Sequence, residues 1–107
     1  MNDWKPINDS EFADLFSRQY AELDEVHRSR FEKFRVPFWR AMIRRSESMG
    51  DETVIVVAQK DEGVLYFDDI EYGFNISTID LMGRILTHGG SQNTLKEAVE
   101  EWFGFMK

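Results

Sequence analysis

The sequence contains no cysteine among its 107 residues, which excludes disulfide bonds, thiol chemistry and the cysteine-based zinc and iron–sulfur sites. It has only 2 prolines and no apolar run close to the roughly 20 residues of a membrane-spanning helix. Its first residues lack the basic start and apolar stretch of a signal peptide, so we expect a cytoplasmic protein without membrane contact. With 42% hydrophobic and 14% aromatic residues, the chain is predicted to fold as one domain, residues 1–107.

Basic residues are scarce in the second half of the chain. Residues 1–50 contain nine acidic and nine basic residues, whereas residues 51–107 contain eleven acidic and four basic ones. The second half therefore accounts for the whole net charge of −7. Such a segment repels nucleic acid and anionic lipid at long range and attracts basic surfaces. We expect a cationic protein as partner and no direct contact with nucleic acid.

A helix is predicted to begin at Asp9. Asn8 is a typical N-cap, Glu11 is its reciprocal capping partner three residues on, and Ile7 can pack on Phe12. Apolar residues then recur every three or four positions as far as residue 34. An unbroken helix over 9–34 would be about 39 Å long, so we expect it to bend, break or protrude.

Val36-Pro37 predicts the next boundary, because proline disfavours a helical residue before it and suits the first turn of a new helix. A second helix is predicted to follow and to end at Gly50. Its apolar face would be formed by Phe38, Trp39, Met42 and Ile43.

Four strands are predicted over 53–58, 64–67, 73–77 and 84–87, with Asp61-Glu62-Gly63 as the first turn. The first strand is apolar on both faces, so helices or a partner chain must cover both sides of the sheet. A last helix would bury the face formed by Leu95, Ala98, Val99, Trp102, Phe103 and Met106. The predicted fold is α+β: two N-terminal helices, a four-stranded antiparallel meander and a C-terminal helix.

Neither histidine has a partner in the sequence that indicates catalysis or metal binding. His27 lies in an apolar stripe and is predicted to border the core with a hydrogen bond to a neighbour. His88 precedes Gly89-Gly90, which is typical of a strand end before a loop. An enzyme based on His88 remains a third hypothesis; the prediction otherwise contains no catalytic residue, metal or cofactor.

An acidic stretch surrounds the predicted hairpins. Three interpretations are open: solvated turns, an acidic surface for a basic partner, or a cation or paired-carboxylate site, although the spacing does not match a calcium loop. Aromatic residues beside acids favour an interface, because they add contact area where the charges add steering. The candidate binding residues are Asp61, Glu62, Tyr66, Asp68, Asp69, Glu71, Tyr72 and Asp80.

Basic residues concentrate between Arg28 and Arg45, which invites a nucleic-acid interpretation. Interleaved acids and the absence of a recognisable nucleic-acid-binding motif weaken that interpretation. We expect Arg40 or Arg44 to pair with acids of the sheet instead.

Three short motifs in the second half are Asp69-Ile70-Glu71-Tyr72-Gly73-Phe74-Asn75, Gly83-Arg84-Ile85-Leu86 and Gln92-Asn93-Thr94-Leu95. In these motifs the chain resembles a group of small, mostly uncharacterised acidic bacterial α+β proteins. That resemblance implies the fold but no catalytic residues. In general character the chain is also similar to bacterial immunity proteins, which neutralise toxins.

The leading hypothesis is a non-catalytic immunity or inhibitor protein that binds a cognate basic bacterial toxin, such as a nuclease, through the candidate residues. Charge reversal at Asp68, Asp69 and Glu71 would then leave the fold intact and weaken binding. The alternative is a structural or regulatory module that forms a homodimer through its aromatic N-terminal helices.

Overall fold

The computed structural model describes residues 7–46, 50–86 and 92–105, and the side chains of residues 7–43, 52–86 and 92–102. Within them the elements are α1 (Asp9–Ala21), α2 (Glu25–Phe34), β1 (Arg35–Ser46), β2 (Gly50–Lys60), β3 (Gly63–Asp68), β4 (Gly73–Thr78) and α3 (Leu95–Phe105). The strands form one antiparallel sheet in the order β1-β2-β3-β4. The α+β fold, with two helices before the meander and one after it, is confirmed.

The two N-terminal helices both lie within the 9–34 segment, for which an unbroken helix would be too long. The capping box at Asn8 is present: its side chain accepts a hydrogen bond from the Glu11 N–H at 2.8 Å, and the Glu11 carboxylate accepts one from the Asn8 N–H at 3.2 Å. The helix ends at Ala21, and Asp24 caps a new one by accepting from the His27 N–H at 2.8 Å. Of the three outcomes expected for this segment, bending, breaking or protruding, the helix breaks, and a second N-cap places the break.

The helix predicted after Val36-Pro37 is wrong, because this segment is β1. Alternate residues of the segment point to opposite faces, so Trp39 packs on one side of the sheet and Phe38 on the other. Pro37 is tolerated because β1 is an edge strand and its register with β2 shifts between Arg35 and Trp39. The strand preference of the aromatic and β-branched residues in this segment was therefore a better guide to its structure than the helix start indicated by Pro37.

The strand predicted over 84–87 is also wrong; residue 87 lies outside the described residues. Ile85 makes isolated bridges to Ile43 and to Ile79, and its N–H donates to the Met42 carbonyl at 2.8 Å. The 79–86 segment thus connects the end of β4 to β1, the opposite edge strand of the sheet. The sheet is curled by this connection, which encloses its inner face.

Both faces of β2 are buried, as predicted, but helices cover only one of them. Ile55 and Val57 belong to the core that packs against the helices, which we call the helical core. Val54 and Val56 belong to a second, smaller core inside the curled sheet. The second core is completed by Ile85 of the 79–86 segment.

The C-terminal helix buries the face that its spacing predicted. Leu95, Ala98, Val99 and Trp102 are fully buried in the helical core. Phe103 and Met106 lie outside the described side chains. The helix is capped by Thr94, whose hydroxyl accepts from the Glu97 N–H at 3.2 Å.

Candidate functional site

The turn between β3 and β4 is built around a buried carboxylate. Asp68 is 0% exposed, and its Oδ1 accepts from the N–H groups of Ile70 and Glu71 at 3.0 and 3.3 Å. Its carbonyl accepts from the Tyr72 N–H at 2.7 Å. Asp68 therefore shapes the turn and offers no surface to a partner.

The neighbouring Asp69 connects this turn to the start of α1. Its Oδ2 accepts from the Ile7 N–H at 2.7 Å. Arg40 completes the junction, because its guanidinium donates to the Ile7 carbonyl at 2.9 Å and to Asp9 at 3.1 Å. The predicted pairing of Arg40 with an acid of the sheet is wrong, since its acidic partner belongs to α1. The Arg44 side chain lies outside the described residues.

The segment that leads into α3 reaches the same end of the sheet. The Phe74 N–H donates to the Asn93 carbonyl at 2.9 Å, and the Asn93 side chain donates to Glu101 at 3.1 Å. Two long-range contacts, at Ile7 and at Asn93, thereby bring α1 and α3 to the β3–β4 turn.

We call this region the acidic end; it consists of Glu11, Asp69, Glu71, Tyr72 and Glu101. All five residues are exposed or half-buried. Tyr72 is 59% exposed, and its ring packs edge-on against Phe67 with centroids 5.5 Å apart. It adopts φ 61°, a left-handed conformation that is unfavourable for a bulky side chain. The acidic end thus presents an aromatic side chain beside carboxylates from three segments of the chain.

Three predicted site residues lie at the other end of β3. Asp61 and Glu62 form the exposed β2–β3 turn, and the Ile79 N–H donates to the Glu62 carbonyl at 2.8 Å, which places Asp80 nearby. The six residues of β3 separate the two ends by about 17 Å. Lys60 and Arg84 bring positive charge to this far end, as Arg40 does beside the acidic end.

The eight predicted residues consequently do not form one surface. Tyr66 is 0% exposed and packs in the core inside the curled sheet, so it cannot anchor a partner. Asp68 is buried as well. Charge reversal at Asp68 would place an unpaired cation in the turn, so the predicted triple variant would lose its fold instead of keeping it.

His27 connects α2 to α3. Its Nδ1 lies 2.7 Å from Asp24 and its Nε2 lies 3.0 Å from Glu100, so the predicted hydrogen bonding of this side chain is confirmed. The His27 backbone N–H, followed by its ring, lowers the pKa of Asp24 below its usual value. His88 lies outside the described residues.

Several residues of the basic cluster are engaged in contacts within the chain. Arg35 donates to Glu32 at 2.9 Å, and Arg28 donates to the Leu23 carbonyl at 3.1 Å. Glu32 also accepts from the Tyr20 hydroxyl at 2.5 Å, which lowers the pKa of Glu32 and raises that of Tyr20. These contacts engage several of the bases that invited a nucleic-acid interpretation.

Sequence reasoning missed Glu11 and Glu101 as members of the acidic end. Glu11 is placed there by the hydrogen bond between Ile7 and Asp69, and Glu101 by the contacts of Asn93 with Phe74 and with Glu101 itself. A linear pattern does not display such contacts between distant segments. Among the described residues, no group of histidine and acidic side chains is arranged to hold a metal ion. No helix within the described ranges combines the length and apolar character needed to cross a bilayer. Comparison with protein-family models, with curated proteins and with solved structures gave no match.

Proposed function

We propose that this chain is a non-catalytic binding protein that neutralises a cationic bacterial toxin, as an immunity protein does, with the acidic end as its docking surface. The observation that carries the proposal is the convergence of carboxylates from α1, α3 and the β3–β4 turn beside the exposed Tyr72. The chain would act in the bacterial cytoplasm without turnover.

The charge of the acidic end suits a basic partner. Glu71 and Glu101 are accessible, and carboxylates at an interface speed the encounter with a positively charged surface. A nuclease is the toxin class we favour, because its active site is shaped to hold a polyanion and would accept carboxylates in place of phosphates.

Tyr72 supplies the anchor of the proposed interface. Tyrosine is enriched among the residues that dominate binding energies, because it buries a large rigid area and can also form a hydrogen bond. Its backbone is held in a conformation that asparagine or glycine adopts at lower cost. An exposed aromatic ring at such a position is the pattern expected when the side chain serves a partner more than the fold.

The competing hypothesis of a homodimer through the aromatic N-terminal helices finds less support. Phe12 and Phe16 of α1 and Phe31 of α2 are buried in the helical core of the same chain. Their apolar surface is therefore already covered, and no bare aromatic helix face remains at these positions to drive association.

The test begins with purification of the chain from its native bacterium under mild cross-linking, followed by reconstitution with the purified cationic protein that is recovered. The variant E71K/E101K is compared with E22K/E25K, which changes the net charge equally but alters exposed residues at the α1–α2 junction and leaves the acidic end intact. We expect about 100-fold weaker binding at low salt for the first variant and a change of less than about threefold for the second.

A second variant separates the anchor from the charges. Tyr72→Asn is expected to retain the thermal stability of the wild type and to weaken binding about tenfold or more. Recovery of toxin activity in the presence of E71K/E101K, but not of E22K/E25K, would support neutralisation. Equal affinity of all three variants would reject the acidic end as the docking surface.

A further inference from the structure

A loop at the far end of the sheet exposes two apolar side chains that no part of the described fold covers. Leu81 is 103% exposed and Met82 is 84% exposed, relative to their reference areas. Leu86, at the base of the same loop, is also exposed. Isolated apolar side chains are common on protein surfaces, but two adjacent ones at the tip of an ordered loop are typical of an interaction site.

The backbone of the loop is held by several hydrogen bonds in spite of its exposure. Asp80 accepts from the N–H groups of Met82 and Arg84 at 2.8 and 3.0 Å, and its own N–H donates to the Arg84 carbonyl at 3.0 Å. The bridge between Ile79 and Ile85 closes the base of the loop.

Gly83 completes the turn of this loop with φ +78°, a conformation that glycine adopts without steric cost. The Trp39 ring lies beneath it, 3.7 Å from the position that a Cβ atom would occupy. A loop fixed in this way loses little conformational entropy when a partner covers its tip, which is an advantage for binding.

We propose that Leu81 and Met82 insert into an apolar pocket on the cationic protein partner and form a second binding element, separate from the acidic end. The inference rests on the proposed protein-binding function but not on the role of Glu71 or Glu101. The net charge of −7 argues against the two other occupants of such a tip, a second copy of this chain and an anionic bilayer, because both would be repelled.

The length of β3 is compatible with a single partner that contacts both elements. A standard interface covers about 800 Å² on each protein, which corresponds to a patch about 30 Å across. The two ends of β3 are separated by about 17 Å, which is less than that width. The acidic end would set the rate of encounter, and the apolar tip would set the lifetime of the complex.

The experiment uses the reconstituted complex described above. Binding of the wild type is compared with that of Leu81→Ser/Met82→Ser, and Val26→Ser on α2 serves as the control because Val26 is exposed but lies on another element. Unchanged melting temperatures verify that all three proteins are folded. We expect the double variant to bind about 30-fold more weakly through faster dissociation, with an association rate close to wild type.

Two parallel measurements examine the other occupants. Flotation with phosphatidylcholine/phosphatidylglycerol vesicles tests the bilayer, and sedimentation of the free chain tests self-association. If Leu81→Ser/Met82→Ser binds the partner as tightly as the wild type, this inference is wrong. If E71K/E101K nevertheless binds weakly, the role of the acidic end is still supported. The inference is also wrong if the wild type binds vesicles or self-associates and the double variant does not. Equal losses in Val26→Ser and the double variant would also contradict a specific role for the tip.

Discussion

The two ends of β3 both carry acidic turns, but they use their carboxylates differently. At the acidic end, Asp68 is buried as the centre of the turn and Asp69 fastens α1 to the sheet. At the far end, Asp61 and Glu62 are exposed, and Asp80 organises only its own loop. An acidic run in a sequence therefore does not indicate which of its members remain available to a partner. The hydrogen bonds that each carboxylate accepts decide this.

The largest expected difference between the two ends is in stability. Asp68→Ala removes the acceptor of two turn N–H groups at a fully buried site, so we expect a loss of about 2–3 kcal/mol in the free energy of unfolding. Glu62→Ala at the far end should change it by less than about 0.5 kcal/mol. Urea denaturation measures both. Similar small losses would contradict a structural role for Asp68.

The connection to α1 predicts the next effect. Asp69→Ala leaves the half-buried Ile7 N–H without its acceptor and should cost about 1–2 kcal/mol. Asp80→Ala frees N–H groups in an exposed loop that water can satisfy, so its cost should be about 0.5–1 kcal/mol. Hydrogen exchange provides an independent readout, because only the Asp69 variant should accelerate exchange of the Ile7 amide. Protection of that amide in Asp69→Ala would argue against the junction.

For Tyr72 at the acidic end and Gly83 at the far end, both with positive φ, we expect the opposite order, with the larger loss of stability at the far end. Gly83→Ala should destabilise the protein by about 1 kcal/mol, since the backbone conformation is strained for alanine whereas the space beside Trp39 accepts a Cβ. Tyr72→Asn should change stability by less than about 0.5 kcal/mol, because relief of the backbone offsets the lost contact with Phe67. Thermal unfolding of the two variants tests the difference. A large loss in Tyr72→Asn would make Tyr72 a structural residue.

The smallest effect belongs to the contact between Asp24, His27 and Glu100, which lies at neither end. The folded pKa of Asp24 is lowered, so its contribution to stability is complete above the unfolded value near 3.9 and is lost as the pH falls through the folded value. The stability difference between wild type and His27→Ala should therefore shrink as acid is added. A difference that stays constant from about pH 6 to about pH 2.5 would contradict this contribution.

Local patterns predicted those parts of the fold that depend on local interactions. The capping box at Asn8, the two-faced strand β2 and the buried face of α3 were all recognisable from spacing and cap residues. The edge strand β1 was not recognisable, because Pro37 favours the start of a helix whereas the aromatic and β-branched residues around it favour a strand. Only the pairing with β2 decides between the two. The acidic end was predicted in part: Asp69, Glu71 and Tyr72 belong to it, but Glu11 and Glu101 join only through long-range contacts.

The apolar tip illustrates a signal that the sequence does contain. Leu81 and Met82 stand between Asp80 and Gly83, two residues typical of a turn, and apolar residues in a turn have no core to enter. Their exposure follows from that context. Whether the loop would be rigid could not be read from the sequence, because its fixation involves Trp39 of β1 beneath Gly83.

The central claim, that the acidic end steers a cationic protein onto this chain, is tested most directly by the salt dependence of the association rate. Stopped-flow mixing with the purified partner from about 50 mM to about 500 mM NaCl should slow association of the wild type and of E22K/E25K by about tenfold or more. E71K/E101K should associate slowly at low salt and show little further dependence. Equal slopes for the three proteins would contradict the claim.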